Sequence, residues 1–216
     1  MDKLLSACKN NDIEAFLFIL GKGGTININY IDENGYTALI WATNTNNPEI
    51  VQLLLRNGAD VNQANQYGYT ALMWAVIKNN PEIVKLLLTN CADIHQANKS
   101  GETALIWAAS YNNSEIVKLL LINGANSNHA TQGGYTALIC AVCNNHPEIV
   151  KLLLRNGADM THTNKDDKTA LQYAPAGKFE NIKNIMTLYS VLRNILTITY
   201  LQVIPRDIIL VIERFL

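Results

Sequence analysis

The sequence predicts an all-α solenoid: stacked helix-turn-helix units with hairpin loops, plus C-terminal helices. Three observations carry that prediction. The blocks NGYTALIWA, YGYTALMWA, SGETALIWA, GGYTALICA and DDKTALQYA place Thr37, Thr70, Thr103, Thr136 and Thr169 each 33 residues apart. The blocks NPEIVQLLLRNGAD, NPEIVKLLLTNCAD, NSEIVKLLLINGAN and HPEIVKLLLRNGAD keep the same period. A fixed period of this length marks one supersecondary unit repeated, each copy burying its apolar side only against its neighbours. Finally, 49% of the 216 residues are hydrophobic, which suits a continuous core and argues against general disorder.

The elements follow in order from local chemistry. Each Thr of the first block can accept from the free amides that open a helix, so short first helices begin at Ala38, Ala71 and Ala104. They end at Asn46, Asn79, Asn112 and Asn145, since Asn is second only to Gly at a left-handed C-terminal position. Asn47, Asn80, Asn113 and His146 then stand where N-caps belong. Pro48, Pro81 and Pro147 take the first helical position, where a missing N–H costs nothing. Glu49, Glu82, Glu115 and Glu148 add negative charge at the positive end of the helix dipole. The second helix runs through IVxLLL to Gly58, Gly124 or Gly157, and a turn-rich hairpin loop follows. Cys91 stands in this glycine column, where a left-handed non-Gly residue costs about 1–2 kcal/mol, so a distorted or locally less stable turn is expected there.

The first unit is cryptic: DKLLSACKNN supplies the polar-faced helix of a cap, and DIEAFLFIL matches the second-helix block. The last unit starts at Asp167. Ser190 stands where Gly would stop its second helix, which is therefore expected to continue toward Thr199. The units divide as 1–34, 35–67, 68–100, 101–133, 134–166 and 167–190, with a tail at 191–216.

The Thr-x-Leu motif, the Glu-Ile-Val-x-Leu-Leu-Leu run and the Gly-Ala-Asp close at this spacing resemble the ankyrin repeat family over roughly residues 2 to 190. The family's Thr-Pro-Leu-His tetrad is altered throughout: Ala38, Ala71, Ala104, Ala137 and Ala170 replace Pro. Ile40, Met73, Ile106, Ile139 and Gln172 replace His. The resemblance implies a protein-binding array, with partners held by hairpin tips and the ends of the first helices. On that expectation the variable columns are candidate contact residues: Tyr36, Tyr69, Glu102, Tyr135 and Lys168 at the hairpin edge, and Asn44, Ile77, Lys78 and Tyr111 at the first-helix ends. Three exposed tyrosines in one row suit recognition, because Tyr offers large contact area at low entropy cost. Asn62 resembles the loop asparagine hydroxylated in many ankyrin proteins.

Other chemistry finds little support. No nucleophile, base and orienting acid fall together, and GKGG at 21–24 lacks the phosphate-loop spacing, so no catalytic residue and no cofactor are assigned. His129 and His162 share a column with Gln63 and Gln96, which reads as a polar loop ladder and not a metal site. Cys140 and Cys143, without a second pair, read as small packing residues in a reducing compartment. Trp41, Trp74 and Trp107 share a column beside Ala42, Ala75 and Ala108 and read as core. Lys85, Lys118 and Lys151 each follow a Glu by three and read as solvated helix pairs. A net charge of −1 offers no footprint for nucleic acid. The amino terminus is too polar for a signal peptide. A membrane span at 185–204 would bury Arg193 at a cost of about 2.5–3.5 kcal/mol, so cytoplasmic residence is expected.

The tail reads Ile204-Pro205-x-Asp207-Ile208-Ile209-Leu210-x-Ile212-x-x-Phe215-Leu216. Pro205 suits a helix start, and Ile208, Ile209, Ile212, Phe215 and Leu216 share one helical face. The order resembles the opening helix of an F-box, and an ankyrin array followed by a short F-box-like segment is similar to poxvirus and giant-virus proteins. That resemblance implies docking on the linker subunit of a cullin-type ubiquitin ligase, in host cytoplasm, with the repeats choosing what is ubiquitinated. The other reading keeps the tail as a cap on the last repeat, leaving a scaffold that binds and masks a host protein.

Overall fold

Helix pairs recur along the chain at the period of the sequence blocks. The computed structural model describes residues 3–22, 26–174 and 180–199, the side chains of 193–199 excepted. It divides into two compact units, Met1–Asn126 and Ser127–Leu216. The first holds four pairs: α1 (Lys3–Lys9) with α2 (Ile13–Gly21), α3 (Ala38–Asn44) with α4 (Pro48–Arg56), α5 (Ala71–Ile77) with α6 (Pro81–Thr89), and α7 (Ala104–Ser110) with α8 (Ser114–Ile122). The second holds α9 (Ala137–Cys143) with α10 (Pro147–Arg155), then a 3-10 turn at Ala170–Tyr173 and the long α11 (Glu180–Thr199). Among the described residues the hairpins shrink to isolated antiparallel bridges, such as Ile31 with Thr37 and Ala97 with Thr103.

Capping sets the boundaries. The Thr37, Thr70 and Thr136 hydroxyls accept from the amides of Ile40, Met73 and Ile139 at 3.1, 3.3 and 3.3 Å. Thr103 holds the same extended backbone without that bond, contrary to expectation. Asn46, Asn79, Asn112 and Asn145 are all left-handed, with φ of 60, 53, 60 and 58°. Asn47 and Asn80 accept from the Ile50 and Ile83 amides, each at 3.0 Å, as N-caps should. Their Nδ2 atoms also donate, at 2.7 Å, to the Oδ1 of Asn11 and Asn46 in the preceding pair. One amide thus caps its own helix and ties it to the neighbour. Asn113 and His146 do not cap. Asn113 Nδ2 instead donates to the Val76 carbonyl at 3.0 Å, which satisfies it across the repeat.

Packing in the first unit runs along the stack. Helices α1, α3, α5 and α7 contact in sequence, and so do α4, α6 and α8. The small Ala42, Ala75 and Ala108 are fully buried, and Ile50, Val51, Leu54 and their equivalents fill the space beside them. Each large aliphatic side chain so buried contributes about 1.5–3 kcal/mol. In the second unit α9 packs on α10 and on the 3-10 turn, and α10 packs on α11. That helix passes Ser190 without a break, because nothing there satisfies a stop.

Loops are joined tip to tip. The amides of Gln66 and Lys99 donate to the carbonyls of Asn34 and Tyr67 at 3.1 and 3.0 Å, and Lys165 donates to Gly133 at 3.0 Å in the second unit. This closeness explains Gly68: at φ +83° an added Cβ would lie 2.9 Å from Asn98 Cα. The Asp-x-Asn loop adds a second tie. Asn62 Nδ2 donates to the Cys91 carbonyl at 3.3 Å while its Oδ1 accepts from Asp93 N at 2.7 Å. Asn128 does the same with Gly157 and Asp159.

Two further expectations are corrected in part. Cys91 is left-handed (φ 64°), and of the two outcomes expected there a distorted turn is not found. Its N–H reaches Leu88 O at 3.1 Å and Ala92 N reaches Leu87 O at 3.0 Å, matching Gly58 and Ala59 within 0.1 Å. Neighbouring hydrogen bonds hold the turn against the cost of the side chain. Lys85 pairs across the stack with Glu115 at 3.5 Å, not with Glu82; Lys151 pairs with Glu148 at 2.9 Å as expected. Among the described residues no helix is long and apolar enough to cross a membrane. The tail residues Ile204, Pro205, Asp207, Ile208, Ile209, Ile212, Phe215 and Leu216 lie outside the described residues.

Candidate functional site

The tyrosines before Thr37 and Thr70 lie against the indoles five positions on. Tyr36 sits on Trp41 with centroids 4.8 Å apart and planes at 28°. Its other neighbour is Trp74 of the next pair, at 6.2 Å. Tyr69 repeats this between Trp74 at 5.9 Å and Trp107 at 6.0 Å. Trp107 then stacks on Tyr111 at 5.5 Å and 16°. Six rings therefore form one row along the hairpin side of the first unit. Each such pair contributes about 0.5–1.5 kcal/mol beyond its buried area.

The row corrects two expectations. The indoles are partly buried and do not belong to the core, because the adjacent alanines already hold the helix–helix contact. Tyr36 and Tyr69 are likewise partly buried, wedged between indoles and not freely exposed. Burial, the main cause, pushes both phenols above the ordinary range. Among the rings in and beside the row, Tyr67 and Tyr111 are exposed, at 53% and 52%, as is Tyr30 at 43%.

Polar groups along the row are unevenly matched. Asp32 Oδ1 accepts from the amides of Asn34 and Tyr36, both at 2.9 Å, and Oδ2 accepts from Trp41 Nε1 at 3.1 Å. The equivalent residue one unit on is Asn65, whose Oδ1 accepts from the Tyr67 and Tyr69 amides at 3.0 Å. That fixes its amide with Nδ2 on the remaining side, where a donor cannot serve Trp74. Among the described residues, Asn65 Nδ2, Trp74 Nε1 and Trp107 Nε1 are buried donors that meet no acceptor within hydrogen-bond distance. Two lysines lie over the row: Lys9 Nζ is 4.9 Å from the Trp41 centroid and Lys78 Nζ is 5.9 Å from that of Trp74. A cavity of about 600 Å³ opens where α1 meets the first hairpin, lined by Lys9, Tyr30, Asp32, Glu33, Trp41 and Tyr67 among others.

Of the candidate contact residues, Tyr36, Tyr69, Lys78 and Tyr111 come together in this row. Asn44 and Ile77 end α3 and α5 and are partly buried. Glu102 accepts from Asn98 Nδ2 at 2.7 Å, which ties it to its own hairpin. In the second unit, Tyr135 and Tyr173 share a hydroxyl contact of 3.2 Å, and Asn164 Nδ2 donates to Tyr173 at 2.7 Å. The bond to Tyr135 is the main cause that pushes Tyr173 up to about 12. Lys168 Nζ stands 5.6 Å from the Tyr173 ring. Reading the columns for variability missed Lys9, Tyr30, Asp32, Glu33 and Tyr67. One signal was available: Asp32 is the only acid in a column otherwise held by Asn65, Asn98, Thr131 and Asn164.

Known proteins agree with this architecture. The family profile described as "Ankyrin repeats (3 copies)" matches residues 4–98 and 77–164. An ankyrin repeat domain from Acinetobacter baumannii, solved by crystallography, is 33% identical and superposes with a TM-score of 0.80, covering 87% of this chain and 97% of that one. In all, 640 solved chains match significantly, so the fold alone selects no partner. No curated protein sequence matches significantly.

Proposed function

As the chain belongs to the ankyrin repeat family, we propose that it is a protein-binding module whose contact surface is the aromatic hairpin row of the first unit. The observation that carries this reading is the row itself. Six rings in stacked and tilted contact form a platform that ends in the exposed Tyr111, with exposed Tyr67 beside it and a cavity at the other end. Preordered aromatic side chains lose little entropy on contact and are the residue types that dominate interface energetics. Among the described residues of the second unit, the aromatic contact is the smaller Tyr135, Lys168 and Tyr173 group.

A photo-crosslinking residue placed at Tyr67 or Tyr111 is expected to capture the same partner in cells. One placed at Ile122, which is 84% exposed on α8, is expected to capture none. Equal yield from all three positions, or none from the hairpin side, defeats this reading.

A narrower form makes the chain a substrate-recruiting adaptor for a cullin-type ubiquitin ligase. Its support is the order Ile204-Pro205-x-Asp207-Ile208-Ile209 in the tail sequence. Recovery of cullin-ligase subunits should then depend on residues 203–216. If deleting them changes nothing, the scaffold that binds and masks its partner is the better account.

A further inference from the structure

We infer that the cavity at the first hairpin takes the arginine side chain of a bound protein segment, and that Lys9 is an internal cation occupying its aromatic face until the partner arrives. This rests on the protein-binding reading and names what one end of that surface recognises.

Trp41 already holds a cation. Its face carries the Lys9 ammonium at 4.9 Å, inside the range at which a ring quadrupole attracts positive charge. The ring is also prepared for it. Tyr36 backs it at 4.8 Å, and the Asp32 carboxylate accepts from its N–H at 3.1 Å. A negative charge at the indole edge offsets the positive rim of the ring and strengthens the attraction of its face for cations. The wall opposite adds Glu33, exposed and at the hairpin tip, with the exposed rings of Tyr30 and Tyr67. The cavity lining thus holds two carboxylates and one ammonium, leaving a net negative charge that suits one more cation.

Size and shape favour arginine. About 600 Å³ lies within the usual range of ligand clefts, roughly 300–1,000 Å³, and exceeds what one ammonium needs. A planar guanidinium can stack on an aromatic face while its N–H fork reaches a carboxylate, and it sheds water more readily than an ammonium. Lys9 is exposed at the end of α1, and its contact with the ring is the cation–ring approach at 4.9 Å. An incoming guanidinium can displace it without unfolding anything. The tethered lysine then sets a threshold, because a ligand must outcompete it.

The test uses the full chain and acetyl-arginine methylamide as probe, watching the Trp41 indole N–H by NMR. A saturable shift is expected for the arginine compound, a weaker one for its lysine analogue and none for the neutral isostere citrulline. Lys9→Met should tighten arginine binding about three- to tenfold. Glu33→Gln should weaken it by a similar factor, and Lys151→Met should do nothing. Both cavity positions are exposed, so folding is expected to survive, and an unchanged circular dichroism spectrum checks it. A citrulline response equal to that of arginine overturns the inference, as does arginine binding no better than lysine. Unchanged or weaker binding in Lys9→Met overturns it too. Should the probe fail while cross-links from Tyr111 persist, protein binding stands and only the arginine assignment falls.

Discussion

In the first unit the column ahead of the buried alanines is filled by Trp41, Trp74 and Trp107; in the second it is filled by Cys140 and Tyr173. The first three bring tyrosines between them and make a broad apolar joint of rings in stacked and tilted contact. Two of their N–H groups meet no acceptor among the described residues. The second column makes a small polar joint, in which Tyr135, Tyr173 and Asn164 satisfy one another through hydroxyl and amide. One repeat position therefore supports two kinds of contact. Column membership says where a side chain starts, and the neighbouring unit decides what it does.

Breaking the ring row should have the largest effect. Trp74 touches tyrosines on both sides, so Trp74→Ala is expected to cost about 3 kcal/mol in urea unfolding followed by circular dichroism. Cys140→Ala, in the same column of the other unit, should cost less than about 1 kcal/mol. Equal losses would erase the distinction between the joints.

Caps sharpen the contrast at a smaller scale. Asn80→Ala removes both the cap to Ile83 and the tie to Asn46, and should cost about 1–2 kcal/mol. Asn80→Asp keeps the cap and loses only the tie, for about 1 kcal/mol. In the second unit His146 makes no cap bond, so His146→Asn should gain about 0.5–1 kcal/mol.

Supplying the missing acceptor reverses the sign. Asn65→Asp would give Trp74 Nε1 what Asp32 gives Trp41, a gain of about 1 kcal/mol. In a Trp74→Phe background, which has no indole N–H, the gain should vanish. A double-mutant cycle reads the difference directly.

The smallest effect is a pH dependence, best marked at Tyr173 in the second unit. Tyr173 titrates near 12 when folded, above the ordinary value of 10.0. Between those values the unfolded chain has lost the proton and the folded one keeps it, so stability falls as pH rises through that window. The contribution is fully present below pH 10. Ultraviolet titration should show a late phenol that moves down in Tyr135→Phe, because the Tyr135 hydroxyl is its main cause.

The repeat, the helix starts and the left-handed turns were all legible in sequence. They were legible because Thr37 reaching Ile40, or Asn47 reaching Ile50, spans three residues and needs no third partner. Exceptions arose where a distant unit competed for the same side chain. Asn113 abandons its cap for Val76, 37 residues away, and Lys85 prefers Glu115 to the nearer Glu82. The candidate surface was half legible. Tyr36, Tyr69 and Tyr111 stood out by column, but their burial against indoles did not. The cavity was hidden because α1 and the loops carrying Glu33 and Tyr67 converge only after folding.

Local chemistry along the chain therefore sets the repeating unit: a helix, a left-handed asparagine, a second helix and a loop, each held by groups a few residues apart. Which side chains meet across units is settled by packing. Those meetings depend on a spacing set by buried alanines and by hairpin glycines too close to bear a Cβ, and no single repeat contains that distance.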